Sequence, residues 1–170
     1  LGYTAAAALA DSRVTSLVVV EYLEPVLFWH HTHLVPLGKQ LSTDPRCRMA
    51  HDDFFARSRD VDLGFDPAFP QKKQDIILLD IDHTPNRVLH QTNARFYTPE
   101  GLKELAGHLT PGGVFALWSD DPPEKAFTDL LETVFPKVHA HTISFKNPFT
   151  GGMAENAVYA AKTAPDHCLE

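Results

Sequence analysis

Cysteine is scarce in this chain of 170 residues: Cys47 and Cys168 make neither a CxxC pair nor a dense framework. That excludes a disulfide-built scaffold and makes a reduced compartment, hence a cytoplasmic protein, the simpler reading. Long apolar runs are also missing, and none approaches the roughly 20 residues of a membrane-spanning helix. The first residues show no basic stretch followed by an apolar run and a cleavage site, so they do not read as a signal peptide. Runs of Lys and Arg are absent too, and 15 basic against 22 acidic side chains give a formal charge of -7. A nucleic-acid surface needs many phosphate contacts, so neither nucleic acid nor membrane is an expected partner. An acidic balance is compatible with a cationic small substrate.

What is present is an ordinary globular composition, 44% hydrophobic and 22% charged, which predicts one domain. That domain is expected over residues 1–163, with 164–170 as a tail. Ala5–Ala8 is good helix material. Leu17–Val20 is β-branched and compact, a buried strand. Glu24 to Leu37 then reads as helix, with Pro25 in its first turn and Gly38 at its end. Arg46–Ala50 is a weaker strand and Ile76–Leu79 a strong one. Thr98 caps a helix from Pro99 to about Leu109. Pro111-Gly112-Gly113 is a turn before a strand at Val114–Trp118. Pro123–Phe135 is helical, and strands follow near Val138–Phe145 and Asn156–Ala161.

Alternating strands and helices predict an α/β fold with a mostly parallel sheet. The last two strands are joined by only about ten residues, and a parallel crossover needs roughly a dozen or more. An antiparallel hairpin at the C-terminal edge is therefore expected, which disfavours a nicotinamide-type sheet. The chain opens on Leu1-Gly2, where a first strand and earlier glycines would have ended, so it reads as N-terminally truncated.

Ligands of open parallel sheets sit beyond the C-terminal ends of the strands. The informative residues are therefore the polar ones after each apolar run. Glu21 follows the first run; His51, Asp52 and Asp53 follow the second. Asp80, Asp82 and His83 follow the third; Ser119, Asp120 and Asp121 follow the fourth. A carboxylate at Glu21 is suited to accept from two ribose hydroxyls. Gly2 lets backbone approach a ligand before a helix begins. His83 is either an acid/base group or a plain loop histidine. Asp120 and Asp121 are suited either to help hold a cation or, the simpler reading, to act as N-caps before Pro122-Pro123. Phe54, Phe55 and Trp29 read as core. His30 and His33 would share a helical face, but no carboxylate stands as a third ligand and their helix lies away from the expected rim. They read as structural or surface residues, and no metal is expected.

Several of these segments form an ordered set. Gly2-Tyr3-Thr4, Val20-Glu21-Tyr22-Leu23-Glu24-Pro25-Val26, His51-Asp52-Asp53-Phe54-Phe55 and Asp75–Asp80 resemble successive motifs of the spermidine synthase-like family. Phe96-Tyr97, Leu109-Thr110-Pro111-Gly112-Gly113 and Phe135-Pro136-Lys137-Val138 extend the resemblance from Gly2 to Lys162. The resemblance implies a Rossmann-like fold of the class I S-adenosylmethionine-dependent methyltransferase type. It implies transfer of an aminopropyl group from decarboxylated S-adenosylmethionine to a small-molecule polyamine, with methylthioadenosine released and no metal. Glu21 would hold the ribose; Asp52, with the backbone at Asp53, would contact the adenine. Gly2 would belong to the same nucleoside cradle, and a homodimer is compatible with it. Asp80, with Asp82 or His83, would bind the protonated amine and take its proton. Two departures stand out. The family's Asp-Ser-x-Asp-Pro is here Asp80-Ile81-Asp82-His83-Thr84-Pro85, and Asn147–Gly152 carries no tyrosine. They keep a methyltransferase using S-adenosylmethionine open as a second reading; the missing first strand keeps open a third, a non-catalytic nucleoside-binding domain.

Overall fold

A short glycine-led helix opens the chain in the computed structural model, which describes residues 1–166; residues 167–170, Cys168 among them, lie outside the described residues. The chain divides into two compact units, Leu1–Lys72 and Lys73 onward. Among the described residues, no helix is long and apolar enough to cross a membrane.

The first unit runs α1 (Tyr3–Leu9), β1 (Leu17–Glu21), α2 (Glu24–His31), α3 (Gly38–Thr43), β2 (Cys47–His51) and α4 (Phe54–Ser58). β1 and β2 are parallel and in register from Leu17↔Cys47 to Glu21↔His51, so both strand ends share one edge. The alanine run forms α1 as expected, and Ala5 and Leu9 bury with Leu41 of α3 as a small core. Each buried leucine here contributes roughly 1.5–3 kcal/mol.

The single helix expected from Glu24 to Leu37 is two helices. α2 stops at His31, and His33 takes the left-handed conformation at φ 61°. Pro36 lacks the N–H that a continuing helix needs and biases Val35 away from helical geometry. Gly38 opens α3 instead of closing α2. Its bareness serves packing, because a Cβ there would lie 2.9 Å from the His30 carbonyl oxygen. Phe54 and Phe55 are core, as expected, but Trp29 is 41% exposed and is not. Its position on α2 turns away from Val26, Leu27 and His30, the helix's buried residues.

The second unit runs β3 (Gln74–Leu79), a 3-10 helix at Gln91–Tyr97, α5 (Pro99–Gly107), β4 (Leu109–Ser119), α6 (Lys125–Glu132), β5 (Lys137–Lys146) and β6 (Met153–Lys162). Its sheet has the order β3-β4-β6-β5. β3 and β4 are parallel, whereas β6 is antiparallel to both β4 and β5. The expected C-terminal hairpin is thus present. Asn147 closes it by accepting at Oδ1 from the Phe149 and Thr150 amides.

Thr98 caps α5 by accepting from the Gly101 amide at 3.2 Å, with Pro99 at the first helical position. Pro111-Gly112-Gly113 is not a separate turn. β4 passes through it from Leu109, and the register with β3 jumps between Gln74 and Ile76, a bulge in which Gly112 takes φ 73°. Phe115, Leu102, Leu105 and Leu131 are fully or almost fully buried around this strand.

Candidate functional site

In the first unit, three residues from separate elements line one cavity of about 70 Å3: Gly2 ahead of α1, Glu21 at the end of β1 and His30 on α2. β1 delivers Glu21 because its apolar run is spent against the core and the first carboxylate falls at the strand end. Glu21 accepts from the Leu23 amide at 2.8 Å through Oε1. No described residue bonds to its Oε2, which leaves that oxygen available to a ligand.

Gly2 has φ 82°, and a Cβ on it would lie 2.5 Å from Leu41 Cδ1 and 3.1 Å from His30 Nε2. Gly2→Ala should therefore both intrude on the cavity and strain the backbone. The expected cost is about 1–2 kcal/mol by chemical denaturation, together with loss of whatever occupies the cavity.

His30 is 4% exposed. That burial fits the structural role expected of it, but the expectation that its helix lies away from the ligand side does not hold, since His30 shares the Glu21 cavity. The signal was in the spacing: Val26, Leu27 and His30 stand at i, i+1 and i+4, one apolar stripe of α2. His33 falls outside α2, and its Nε2 lies 3.2 Å from Ser42 Oγ. Among the described residues, no group of three His, Cys, Asp or Glu side chains is placed to hold a metal.

Asp52 and Asp53 follow β2 but are largely committed to local structure. Asp53 caps α4, its Oδ1 accepting from the Phe55 amide at 2.8 Å and the Ala56 amide at 3.2 Å. Its own N–H donates to Asp52 Oδ1 at 2.8 Å, so the backbone donor expected to meet adenine already has a partner. Asp52 pairs with Arg57 at 2.5 Å. Partial burial works against its charged form, but hydrogen bonds from Arg57 and the Asp53 amide outweigh it and hold the carboxyl below its ordinary value. Asp52 is therefore ionised throughout the neutral range.

In the second unit, the residues after β3 divide by direction. Asp80 is exposed, and its carboxylate takes no hydrogen bond from any described residue. Asp82 points inward and is 3% exposed. Its Oδ1 accepts from the Leu89 amide at 2.6 Å and Asn93 Nδ2 at 2.9 Å, and its Oδ2 accepts from the Tyr97 hydroxyl at 2.9 Å. The catalytic role expected of Asp82 does not fit these surroundings, because both oxygens are occupied and water is excluded. Tyr97 is pushed up in pKa by burial first and then by the Asp82 charge, so it remains a protonated donor. Sequence reading missed this pair; the expectation singled out Phe96-Tyr97 only as a motif.

His83 is exposed at the side chain, while its carbonyl accepts from the Asp120 amide at 2.7 Å. That bond ties the loop after β3 to the loop after β4. The loop after Asp80 is itself held by Thr84, whose Oγ1 accepts from the Asn86 amide at 3.2 Å and the Arg87 amide at 3.0 Å. Asp120 and Asp121 do not cap a helix. They lie 3.7 and 3.0 Å from Arg87, because α6 begins only at Lys125, past the two prolines.

No protein-family model matches the chain, and no curated protein matches it in sequence. Solved structures do match. Spermidine synthase from Thermotoga maritima superposes with a TM-score of 0.65 at 17% identity, covering 97% of this chain and 51% of the synthase. Human methyltransferase-like protein 13, in complex with SAH, gives a TM-score of 0.53 at 17% identity over 92% of this chain and 75% of that protein. A SAM-dependent O-methyltransferase from Thermotoga maritima gives 0.54 at 14% identity over 96% of this chain and 56% of the enzyme. The chain thus spans about half the length of the synthase it is similar to. These likenesses show the fold, a Rossmann-like class I methyltransferase-type architecture with parallel strands and an antiparallel hairpin.

Proposed function

We propose that this chain is a nucleoside-binding transferase domain using decarboxylated S-adenosylmethionine or S-adenosylmethionine as co-substrate, with aminopropyl transfer to a polyamine as the reaction. The observation that carries the reading is Glu21. It stands at the C-terminal end of a parallel strand, with one carboxylate oxygen free, on a cavity that it shares with the left-handed Gly2. Carboxylates at this place of an α/β fold accept from sugar hydroxyls. Gly2, Glu21, Asp52 and Asp53 form the nucleoside half of the proposal, with Asp52 and Asp53 acting at the strand-end loop that their own hydrogen bonds rigidify.

The acceptor half rests on Asp80, with His83 close by in sequence. An amine nucleophile arrives protonated, and an ionised carboxylate both attracts it and accepts its proton. The freed nitrogen lone pair then attacks the propyl carbon next to the sulfonium, the carbon–sulfur bond breaks, and its electrons leave on methylthioadenosine. Asp82 serves this half indirectly, by fixing the loop that carries its neighbours. A methyl transfer is the second reading, favoured by the Asn147–Gly152 link, which presents exposed Phe149 and no tyrosine.

Calorimetry with decarboxylated S-adenosylmethionine, S-adenosylmethionine and methylthioadenosine tests the proposal. Tighter binding of the decarboxylated form supports aminopropyl transfer, a preference for the intact amino acid supports methylation, and no binding of any of the three sinks the nucleoside reading. Glu21→Ala should weaken nucleoside binding by about 1.5–3 kcal/mol, the range for hydrogen bonds to a charged group. Unchanged affinity in the same titration would remove Glu21 from the site.

A further inference from the structure

His30 holds a lone pair with nothing to meet it. Its Nδ1 lies 2.8 Å from the Val26 carbonyl oxygen. A carbonyl only accepts, so Nδ1 carries a proton, and in the neutral imidazole Nε2 is then an acceptor. That Nε2 is buried and has no hydrogen-bond partner among the described residues. Buried acceptors are almost always satisfied, and an exception calls for a cause. Here the cause lies next to it. His30 lines the cavity that holds Glu21, and a Cβ on Gly2, another lining residue, would lie 3.1 Å from Nε2.

The rest of the lining is apolar, with Val19, Val26, Leu41 and Met49 among it. The cavity therefore presents two side-chain acceptors, Glu21 and His30 Nε2, and no side chain with a free donor. Its occupant must donate in two directions from a small volume. An aliphatic or a carbonyl group cannot do this, but a vicinal diol can, since each hydroxyl supplies one proton and the carbons between them match the apolar walls.

We propose that His30 is a ligand-binding residue: its Nε2 accepts the proton of one hydroxyl of the nucleoside sugar while Glu21 accepts the other. This assignment rests on the nucleoside reading and adds to it a second recognition element, on α2. It explains why a histidine occupies a stripe otherwise made of Val26 and Leu27. The left-handed Gly2 fits the same picture, because any side chain there would come within 3.1 Å of Nε2 and close the approach.

The test is calorimetry on the intact chain with methylthioadenosine, its 2′-deoxy and 3′-deoxy analogues, and S-adenosylhomocysteine, alongside thermal melts without ligand. His30→Leu should weaken methylthioadenosine about 5- to 20-fold, the effect of one hydrogen bond. One of the two deoxy analogues should bind His30→Leu and the unmodified protein alike, because the hydroxyl that meets His30 is already gone. His30→Gln keeps an acceptor near the Nε2 position and should stay within about threefold of the unmodified protein. Without ligand, His30→Leu should melt higher by about 2–6 °C, since an apolar group replaces a buried acceptor that nothing satisfies.

A histidine held for structure gives the opposite pattern, a lower melting temperature or loss of folding in His30→Leu with affinity unchanged, and that result overturns the assignment. So does a His30→Leu penalty seen with S-adenosylhomocysteine but not with methylthioadenosine, which would move the donor from the sugar to the ammonium group. The two levels separate cleanly. If Glu21→Ala weakens methylthioadenosine and His30→Leu does not, only the His30 assignment falls. If the unmodified protein binds no nucleoside, the functional reading falls and takes His30 with it.

Discussion

Asp80→Asn should lower aminopropyl turnover by roughly 10²–10⁴, the usual contribution of a positioned general base. The substitution keeps the shape of the side chain and removes both the charge that attracts an ammonium and the lone pair that accepts its proton. Asp80 follows β3, whose Ile77 and Leu79 are 6% and 3% exposed, so its backbone is anchored by buried neighbours. Its carboxylate is exposed and unclaimed by any described residue. The competing explanation is that Asp80 caps the turn from Ile81 to Pro85. The hydrogen bonds at that turn come instead from Thr84 Oγ1, which accepts from the Asn86 and Arg87 amides. Methylthioadenosine release with decarboxylated S-adenosylmethionine and a polyamine is the readout. Nucleoside affinity, measured in parallel, should change little, because Glu21 carries that task. A rate near that of the unmodified protein would return Asp80 to a surface residue.

Asp82→Ala should destabilise the fold by about 3–5 kcal/mol in urea unfolding, the range for breaking a buried polar network. Three donors converge on this one carboxylate: the Leu89 amide, Asn93 Nδ2 and the Tyr97 hydroxyl. Asn93 and Asp82 are both buried, so water cannot replace the lost acceptor without opening the loop. Each orphaned donor carries its own desolvation cost. Asp82→Asn should cost less, about 1–3 kcal/mol, because one oxygen remains while its NH2 group faces donors. An Asp82→Ala midpoint close to that of the unmodified protein would mean that the network contributes nothing to stability.

The two acids illustrate what a sequence shows and what it hides. That polar residues follow β1, β2, β3 and β4 is legible from where each apolar run ends. Which of them turns outward is not, since a loop has no side-chain period to read. Asp80 and Asp82 differ only in direction, and direction came from Asn93 and Tyr97, on a 3-10 helix that no hydrophobic period announces. Strong local chemistry was readable: Thr98-Pro99 starts α5, and the short Asn147–Gly152 link makes β5 and β6 a hairpin. Pro36 was visible inside the helix expected from Glu24 to Leu37, yet the break depends on His33 adopting a left-handed conformation that its residue type does not demand. His30 and His33 stand out as a pair on one expected helical face, but the grouping of His30 with Val26 and Leu27 on one stripe was the more informative regularity.

The hairpin also bears on how the second unit can be assembled. β5 and β6 are neighbours in the chain, and their ladder runs without interruption from Lys146↔Met153 to Lys137↔Lys162. Closing so short a loop loses little chain entropy, so contacts near the turn can zip outward without waiting for distant segments. β3 and β4 are different: parallel partners must first bring round the whole crossover with the 3-10 helix and α5. β4 pairs with β6 on one side and β3 on the other. A hairpin made after β3 and β4 thus supplies the early template, and the second unit cannot be completed during synthesis until β6 has emerged.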